Sequence, residues 1–135
     1  MSSKLNIILV DDNDIDIVVN TKLLKLANIT DNVTSFSSCD ETMSYFMENS
    51  ERIKENVNVV LLDIQMPGTD GFQCLEKFAA MSEDLKSSFR IFMLSSSIDR
   101  GDIEKAEANP DVIKVLEKPL DVYLLKRLIS ATSES

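Results

Sequence analysis

Apolar residues along the chain form short, mainly continuous runs, separated by longer stretches with helical spacing. The runs cover residues 7–10, 32–36, 57–62, 90–94 and 112–116. Each has the length of a strand and is rich in β-branched or aromatic residues, which favour extended structure. Between the runs, apolar residues recur every three or four positions, as on one face of a helix. The pattern predicts five strands, each followed by a helix.

Alternating strands and helices are typical of an α/β fold, with a parallel sheet and helices on both of its faces. The apolar runs agree with this, because parallel strands are buried on both sides. The sequence has 135 residues, which is the size of one domain, and it shows neither an internal repeat nor a low-complexity linker. We therefore predict a single domain over residues 1–135, with a core from about residue 5 to residue 130 and a polar tail after it.

Two of the predicted helices matter most for the later argument. The first carries apolar residues at helical spacing: Ile15, Val18, Val19, Leu26 and Ile29. The acidic residues in its first turn, Asp14 and Asp16, are predicted to face solvent. The helix predicted over residues 99–109 is weak, because Gly101 lies near its start and Ile103 is its one large apolar residue. We expect that segment to be the least firmly held part of the fold.

The acidic composition excludes several classes of function. The chain has 14 Lys and Arg residues against 23 Asp and Glu, which gives a formal charge of −9. Nucleic acids and anionic membranes both attract basic surfaces, so neither is an expected partner. Histidine is absent from the sequence. Its absence excludes histidine-based triads, histidine metal sites and a role as a phosphohistidine donor.

The cysteines and the apolar runs bear on the cellular compartment. Cys39 and Cys74 lie far apart without a CxxC motif, and we predict that both are reduced, buried side chains. A disulfide and a reactive thiol are the alternatives, and no sequence feature supports either of them. The apolar run 7–10 is too short for a signal peptide or a membrane span. We therefore expect a cytoplasmic protein.

Polar residues follow the predicted strands at the points where the strands end. Asp11 and Asp12 come after the first strand, Asp63 ends the third, Ser95 the fourth and Lys118 the fifth. The carboxyl ends of the strands form the ligand-binding edge of an α/β sheet, so these side chains are expected to converge. Three carboxylates without histidine or cysteine are hard oxygen ligands, suited to Mg²⁺, with Mn²⁺ as the alternative. An aspartate at this edge can also act as a nucleophile towards a phosphoryl group.

Five short motifs occur in an order that identifies a family. They occupy residues 8–13 (ILVDDN), 61–67 (LLDIQMP), 70–71 (DG), 93–95 (MLS) and 118–119 (KP). Together they resemble the receiver domain of two-component response regulators, of the stand-alone kind known from bacterial chemotaxis. The resemblance implies a doubly wound, flavodoxin-like, five-stranded parallel sheet of order 2-1-3-4-5 with five helices.

The resemblance also implies roles for the residues of the first and third strand ends. Asp63 would accept the phosphoryl group. Asp11 and Asp12 would hold Mg²⁺ together with Asp63 and the backbone carbonyl of Gln65. The side chains of Gln65 and Ser97 would tune the rate of dephosphorylation.

The resemblance implies that residues at the ends of the fourth and fifth strands contact the phosphoryl group. Lys118 would pair with its oxygens, the Lys118–Pro119 bond would be cis, and the Ser95 hydroxyl would follow the phosphoryl group and move the loop after it. Members of the family often carry an aromatic ring three residues before the lysine, which swings inward on activation. This chain has Val115 at that position, so the predicted switch depends on Ser95 and its loop.

As a receiver, the chain would take its phosphoryl group from a histidine kinase or a phosphotransfer protein. It would catalyse only its own phosphorylation and dephosphorylation. No output domain follows the last predicted helix, so the output would be binding to an unidentified downstream protein or relay of the phosphoryl group. We expect a monomer or a weak dimer.

Two other functions remain open from the sequence. Asp12-Asn13-Asp14 matches the Asp-x-Asp pattern of haloacid-dehalogenase-like phosphatases, although the paired acids that such an enzyme needs after Lys118 are absent. The second alternative is a binding module that keeps the receiver fold and has lost phosphorylation. The non-aromatic Val115 keeps that alternative open.

Overall fold

The computed structural model describes residues 5–30, 32–64, 71–95, 100–118 and 120–133. All five predicted strands are present, with ends close to the predicted ones. They are β1 (Leu5–Val10), β2 (Val33–Phe36), β3 (Val57–Asp63), β4 (Phe89–Ser95) and β5 (Val112–Glu117).

The strands form one parallel sheet of order β2-β1-β3-β4-β5. This is the doubly wound, flavodoxin-like fold that the family resemblance implies. The chain runs from β1 outwards to β2 and from β3 outwards to β4 in the other direction, so the connections after the adjacent strands β1 and β3 lie on opposite faces of the sheet. This arrangement opens a crevice between the carboxyl ends of β1 and β3. The register places Val10 opposite Leu62 and Asp63 opposite Leu94, so β1, β3 and β4 end at nearly the same level.

The described residues contain seven helices, of which the first six connect strands and the last follows β5: α1 (Asp14–Leu26), α2 (Cys39–Glu48), α3 (Ser50–Lys54), α4 (Gly71–Ala79), α5 (Glu83–Lys86), α6 (Arg100–Ala108) and α7 (Val122–Ser133). The predicted number of five is wrong. Asn49 leaves the helical conformation (φ −122°, ψ 23°) and separates α3 from α2. Ser82 caps the short α5 by accepting from the N–H of Leu85 (3.3 Å). Among the residues described, no helix is long and apolar enough to cross a membrane.

Side chains alternate along each strand, so they point to both faces of the sheet, and helices cover both faces. Ile8 belongs to the cluster between the sheet and α2 and α4, where Phe46 is fully buried. Ile7 belongs to the opposite cluster, which Leu24 of α1 and Leu125 of α7 complete. The strands β1, β3 and β4 are buried up to their last residues, and the candidate site lies where they end.

The apolar spacing that predicts α1 marks mainly its exposed face. The exposed fractions are 73% for Ile15, 52% for Val18, 44% for Val19 and 79% for Leu26. The fully buried positions of α1 are Asn20 and Leu24. Periodicity therefore predicted the helix correctly, but α1 carries an apolar surface that nothing in the described part of this chain covers.

The prediction of reduced cysteines is wrong, because Cys39 and Cys74 form a disulfide. Cys39 begins α2 and Cys74 lies in α4, and these helices pack side by side over the same face of the sheet. Their Cα atoms are 5.7 Å apart, within the range for a disulfide. The pairing depends on helix packing, which no sequence spacing of the two cysteines reveals.

We expect the Gly71→Ala substitution to destabilise the protein by about 1–3 kcal/mol. A Cβ at Gly71 would lie 2.6 Å from the backbone oxygen of Asp63 and 2.7 Å from Cε of Met93. Met93 can rotate away, but the Asp63 backbone is fixed in the sheet. Urea unfolding measures the loss. The control is Gly101→Ala, at an exposed position of α6. Alanine forms helices better than glycine does, so this substitution should not lower the stability. Equal stability of both variants would contradict the close packing at Gly71.

Candidate functional site

Asp11 and Asp63 lie next to each other at the carboxyl edge of the sheet. Asp63 ends β3, and Asp11 follows β1, whose last residue pairs with Leu62. They are 2% and 5% exposed. The N–H of Asp11 donates to the carbonyl of Phe36 (3.1 Å), and its Oδ1 accepts from the N–H of Asn13 (2.9 Å). The turn between β1 and α1 thereby fixes the Asp11 carboxylate.

Asp12 completes a cluster of three carboxylates. One carboxylate oxygen from each of Asp11, Asp12 and Asp63 lies within 4.8 Å of the others. Asp12 is exposed, so the cluster is open to solvent on one side. The ligand atoms are hard oxygens, and a divalent cation would reduce the repulsion between their charges. The donor set therefore fits the predicted Mg²⁺ or Mn²⁺.

Lys118 follows β5 and directs its ammonium into this cluster. Its backbone N–H donates to the carbonyl of Ser95 (2.9 Å), which holds the residue beside the end of β4. Its Nζ lies 2.9 Å from an oxygen of Asp16, 3.0 Å from one of Asp11 and 3.4 Å from one of Asp63. The Lys118 side chain is only 14% exposed. The sequence prediction that strand ends 1, 3 and 5 converge is therefore realised in the fold.

The acidic surroundings keep Lys118 positively charged. Burial alone lowers the pKa of Lys118, and this is the largest single effect. The hydrogen bonds to Asp16 and Asp11, with the charges of Asp63 and Asp11, act in the opposite direction and together raise the pKa above its usual value. The ammonium is consequently a permanent positive charge at neutral pH.

The contact between Lys118 and Asp16 corrects the sequence prediction, which placed Asp16 in solvent. Asn13 caps α1 by accepting from the N–H groups of Ile15 (2.9 Å) and Asp16 (3.1 Å), and this fixes the first turn of the helix next to the site. Lys118 and Asp16 are 102 residues apart in sequence. The sequence offers one signal for this contact, a carboxylate in the first helical turn after Asp11-Asp12. Local spacing cannot show that this carboxylate pairs with a lysine 102 residues away.

Ser95 lies at the carboxyl edge of the sheet, whereas Val115 lies further back along its strand. Ser95 ends β4 at the same edge as Asp63 and is 3% exposed. Val115 is half-buried on β5, opposite Met93, and packs against the cluster between the sheet and α2 and α4. Ser95 therefore lies at the carboxyl edge, as predicted, while Val115 belongs to the packing behind that edge.

Three predictions concern residues outside the described part of the chain. Gln65, Ser97 and Pro119 all fall there. The carbonyl ligand at Gln65, the tuning roles of Gln65 and Ser97, and the cis peptide before Pro119 remain predictions.

The predicted weak helix is formed as α6 and has few buried anchors. Of its residues, Ala106 is buried. Lys105 places its ammonium 4.2 Å from the ring centre of Phe72, which connects α6 with α4. A helix with so little buried apolar surface can shift at a small cost in free energy.

Sequence and structure comparisons agree on one family. Residues 7–130 match the response regulator receiver domain. A response regulator receiver protein from Dyadobacter fermentans has a TM-score of 0.85 and 35% sequence identity, over 94% of this chain and 96% of that chain. A two-component response regulator from Cytophaga hutchinsonii has a TM-score of 0.87 and 25% identity, over 99% of this chain and 100% of that chain. The chain therefore belongs to the response regulator receiver domain family, a family of signalling domains rather than conventional enzymes.

Proposed function

We propose that this chain is a cytoplasmic, phosphorylation-switched receiver, in which Asp63 accepts a phosphoryl group from a histidine kinase or a phosphotransfer protein. Membership of the receiver family supports two-component signalling as the setting. One observation carries the proposed site: the Asp63 carboxylate lies beside the Asp11 and Asp12 oxygens and the Lys118 ammonium. Asp11 has the same neighbours, and the choice of Asp63 over Asp11 follows from its position in the family motif at residues 61–67.

The proposed reaction forms and later breaks a bond between phosphorus and an Asp63 oxygen. The carboxylate attacks the phosphorus of a phosphohistidine, the P–N bond breaks, and the histidine nitrogen keeps the electron pair and takes up a proton. Water later attacks the same phosphorus, releasing inorganic phosphate and restoring the carboxylate. Because these 135 residues contain no histidine, the phosphohistidine must lie outside them.

Asp11, Asp12 and Asp63 would hold Mg²⁺, with the backbone carbonyl of Gln65 as a further predicted ligand. The bound ion would supply positive charge to the phosphoryl oxygens. Asp11 is fixed by the β1–α1 turn, so its carboxylate is oriented before any ligand arrives.

Lys118 and Ser95 would bind the phosphoryl oxygens from the other side. The ammonium, 3.4 Å from Asp63, supplies a second positive charge close to the reacting oxygen. The Ser95 hydroxyl, at the end of the neighbouring strand, can donate to a phosphoryl oxygen. We propose that this contact draws in the loop after β4, and that Gln65 and Ser97 set the rate at which water reaches the phosphorus.

The exposed apolar face of α1 supports the proposal that the phosphoryl donor docks beside the site. Ile15, Val18 and Val19 lie on the helix whose first turn contacts Lys118 through Asp16. A donor that covered these side chains would bring its phosphohistidine close to Asp63 and gain apolar burial at the same time. The output would follow from movement of the lightly anchored α6, which alters binding to a downstream protein, or from relay of the phosphoryl group.

A two-dimensional amide NMR titration of labelled protein tests the proposal. Beryllofluoride occupies the phosphoryl position on an aspartate without a kinase. We expect saturable, Mg²⁺-dependent shifts at Asp63, Ser95 and Lys118 that extend into α6. A response to Mg²⁺ without a response to beryllofluoride would support the metal site and contradict the phosphoacceptor. No response to either would favour a receiver fold that binds partners without phosphorylation.

A further inference from the structure

Asp16 is the residue near the site that the proposed reaction does not use. Its carboxylate holds the shortest of the three contacts with the Lys118 ammonium, 2.9 Å, compared with 3.0 Å for Asp11 and 3.4 Å for Asp63. It is also the most exposed of the three, with 37% of its side chain accessible. Asp16 therefore competes directly with the phosphoacceptor for the Lys118 ammonium.

We propose that Asp16 is a positioning residue that restrains Lys118 and thereby weakens binding of the phosphoryl group at Asp63. This rests on the proposed function of Asp63. To contact a phosphoryl oxygen, the ammonium must leave Asp16 or divide its hydrogen bonds between the two. The charge of Asp16 also opposes the negative charge that the phosphoryl group adds.

Bound Mg²⁺ would strengthen the competition between Asp16 and the phosphoryl group for Lys118. Asp11 is one of the predicted metal ligands, so its negative charge is shared with the ion once the ion binds. Asp16 lies outside the group of three carboxylates that can share an ion. It therefore keeps its full charge for Lys118 at the stage when the phosphoryl group arrives.

The restraint predicts effects of opposite sign on the two ligands. Asp16→Asn removes a negative charge near the cluster, so affinity for Mg²⁺ alone should fall by up to about threefold. Affinity for beryllofluoride at saturating Mg²⁺ should rise by about three- to tenfold, because Lys118 is released. A variant that merely disturbed the structure would have a lower affinity for both ligands.

The matched control is Asp14→Asn, which removes the same charge from an exposed position in the same helical turn. Its two affinities should change by less than about twofold. Asp16→Glu keeps the charge and should return both affinities towards the wild-type values. Circular dichroism melting confirms that each variant folds before the titrations, which use NMR shifts as the readout.

The outcomes separate the two proposals. Opposite changes in Asp16→Asn that are absent from Asp14→Asn support the restraint. Equal beryllofluoride affinities of Asp16→Asn and wild type, in a protein that binds beryllofluoride, overturn the role of Asp16 and leave the function of Asp63 intact. Weaker binding of both ligands also overturns it. A wild-type protein that does not bind beryllofluoride overturns the proposed function and the restraint together.

Discussion

Replacing Asp63 with asparagine is expected to abolish the Mg²⁺-dependent response to beryllofluoride completely. The amide is nearly the same size as the carboxylate, so the buried end of β3 should keep its conformation. It is neutral and cannot act as the nucleophile or the anionic ligand that a phosphoryl group or its mimic requires. Amide spectra of Asp63→Asn should show no saturable shifts at Ser95 or Lys118 when beryllofluoride is added.

Asp84→Asn is the matched control for this experiment. Asp84 is exposed in the first turn of α5, and the change removes the same charge far from the carboxyl edge. We expect its response to beryllofluoride to equal that of the wild type. A saturable response of wild-type strength in Asp63→Asn would show that the mimic binds elsewhere.

Replacing Lys118 with methionine is expected to lower the free energy of unfolding by about 3–5 kcal/mol in the absence of Mg²⁺. Methionine retains much of the aliphatic stem but removes the ammonium. Asp11 and Asp63, with side chains only 3% and 7% exposed, then lose the positive charge of the Lys118 ammonium. Urea unfolding measures the loss, and added Mg²⁺ should recover part of it because the ion replaces the missing charge.

The effect of Lys118→Met should not depend on pH in the neutral range. The pKa of Lys118 is raised above its usual 10.5, so its contribution to stability is complete below the pKa of the unfolded chain. That contribution is lost only as the pH rises through the higher folded pKa. The difference from wild type should stay constant between about pH 7 and 9. Lys22→Met, at an exposed position of α1, is the control. An equal loss of stability in both variants would contradict the buried charge cluster.

The sheet and most of the site could be predicted because they depend on local pattern and on one rule of topology. Continuous apolar runs fix the strands, and the strand ends of a parallel sheet meet at one edge. The positions of Asp11, Asp63 and Ser95 at the carboxyl edge therefore follow from the sequence pattern. The order of the strands came from the family resemblance, because periodicity alone does not order strands.

The features that the sequence did not reveal depend on contacts between distant segments. Helical spacing identified α1 but not which side of it faces the core, so the exposure of Ile15 and Leu26 was missed. The Cys39–Cys74 disulfide depends on how α2 packs beside α4. The bond from Asp16 to Lys118 joins residues 102 positions apart, and a solvated acid in a first helical turn is the commoner arrangement.

Chemical trapping of the phosphorylated residue tests the central claim most directly. The protein is incubated with Mg²⁺ and acetyl phosphate, a small phosphoryl donor, and then treated with borohydride, which reduces an aspartyl phosphate to homoserine. Peptide mass spectrometry locates the product. The account predicts homoserine at Asp63, in a Mg²⁺-dependent yield and at no other aspartate. Homoserine at a different position, or unmodified Asp63 in a folded protein that binds Mg²⁺, would contradict it.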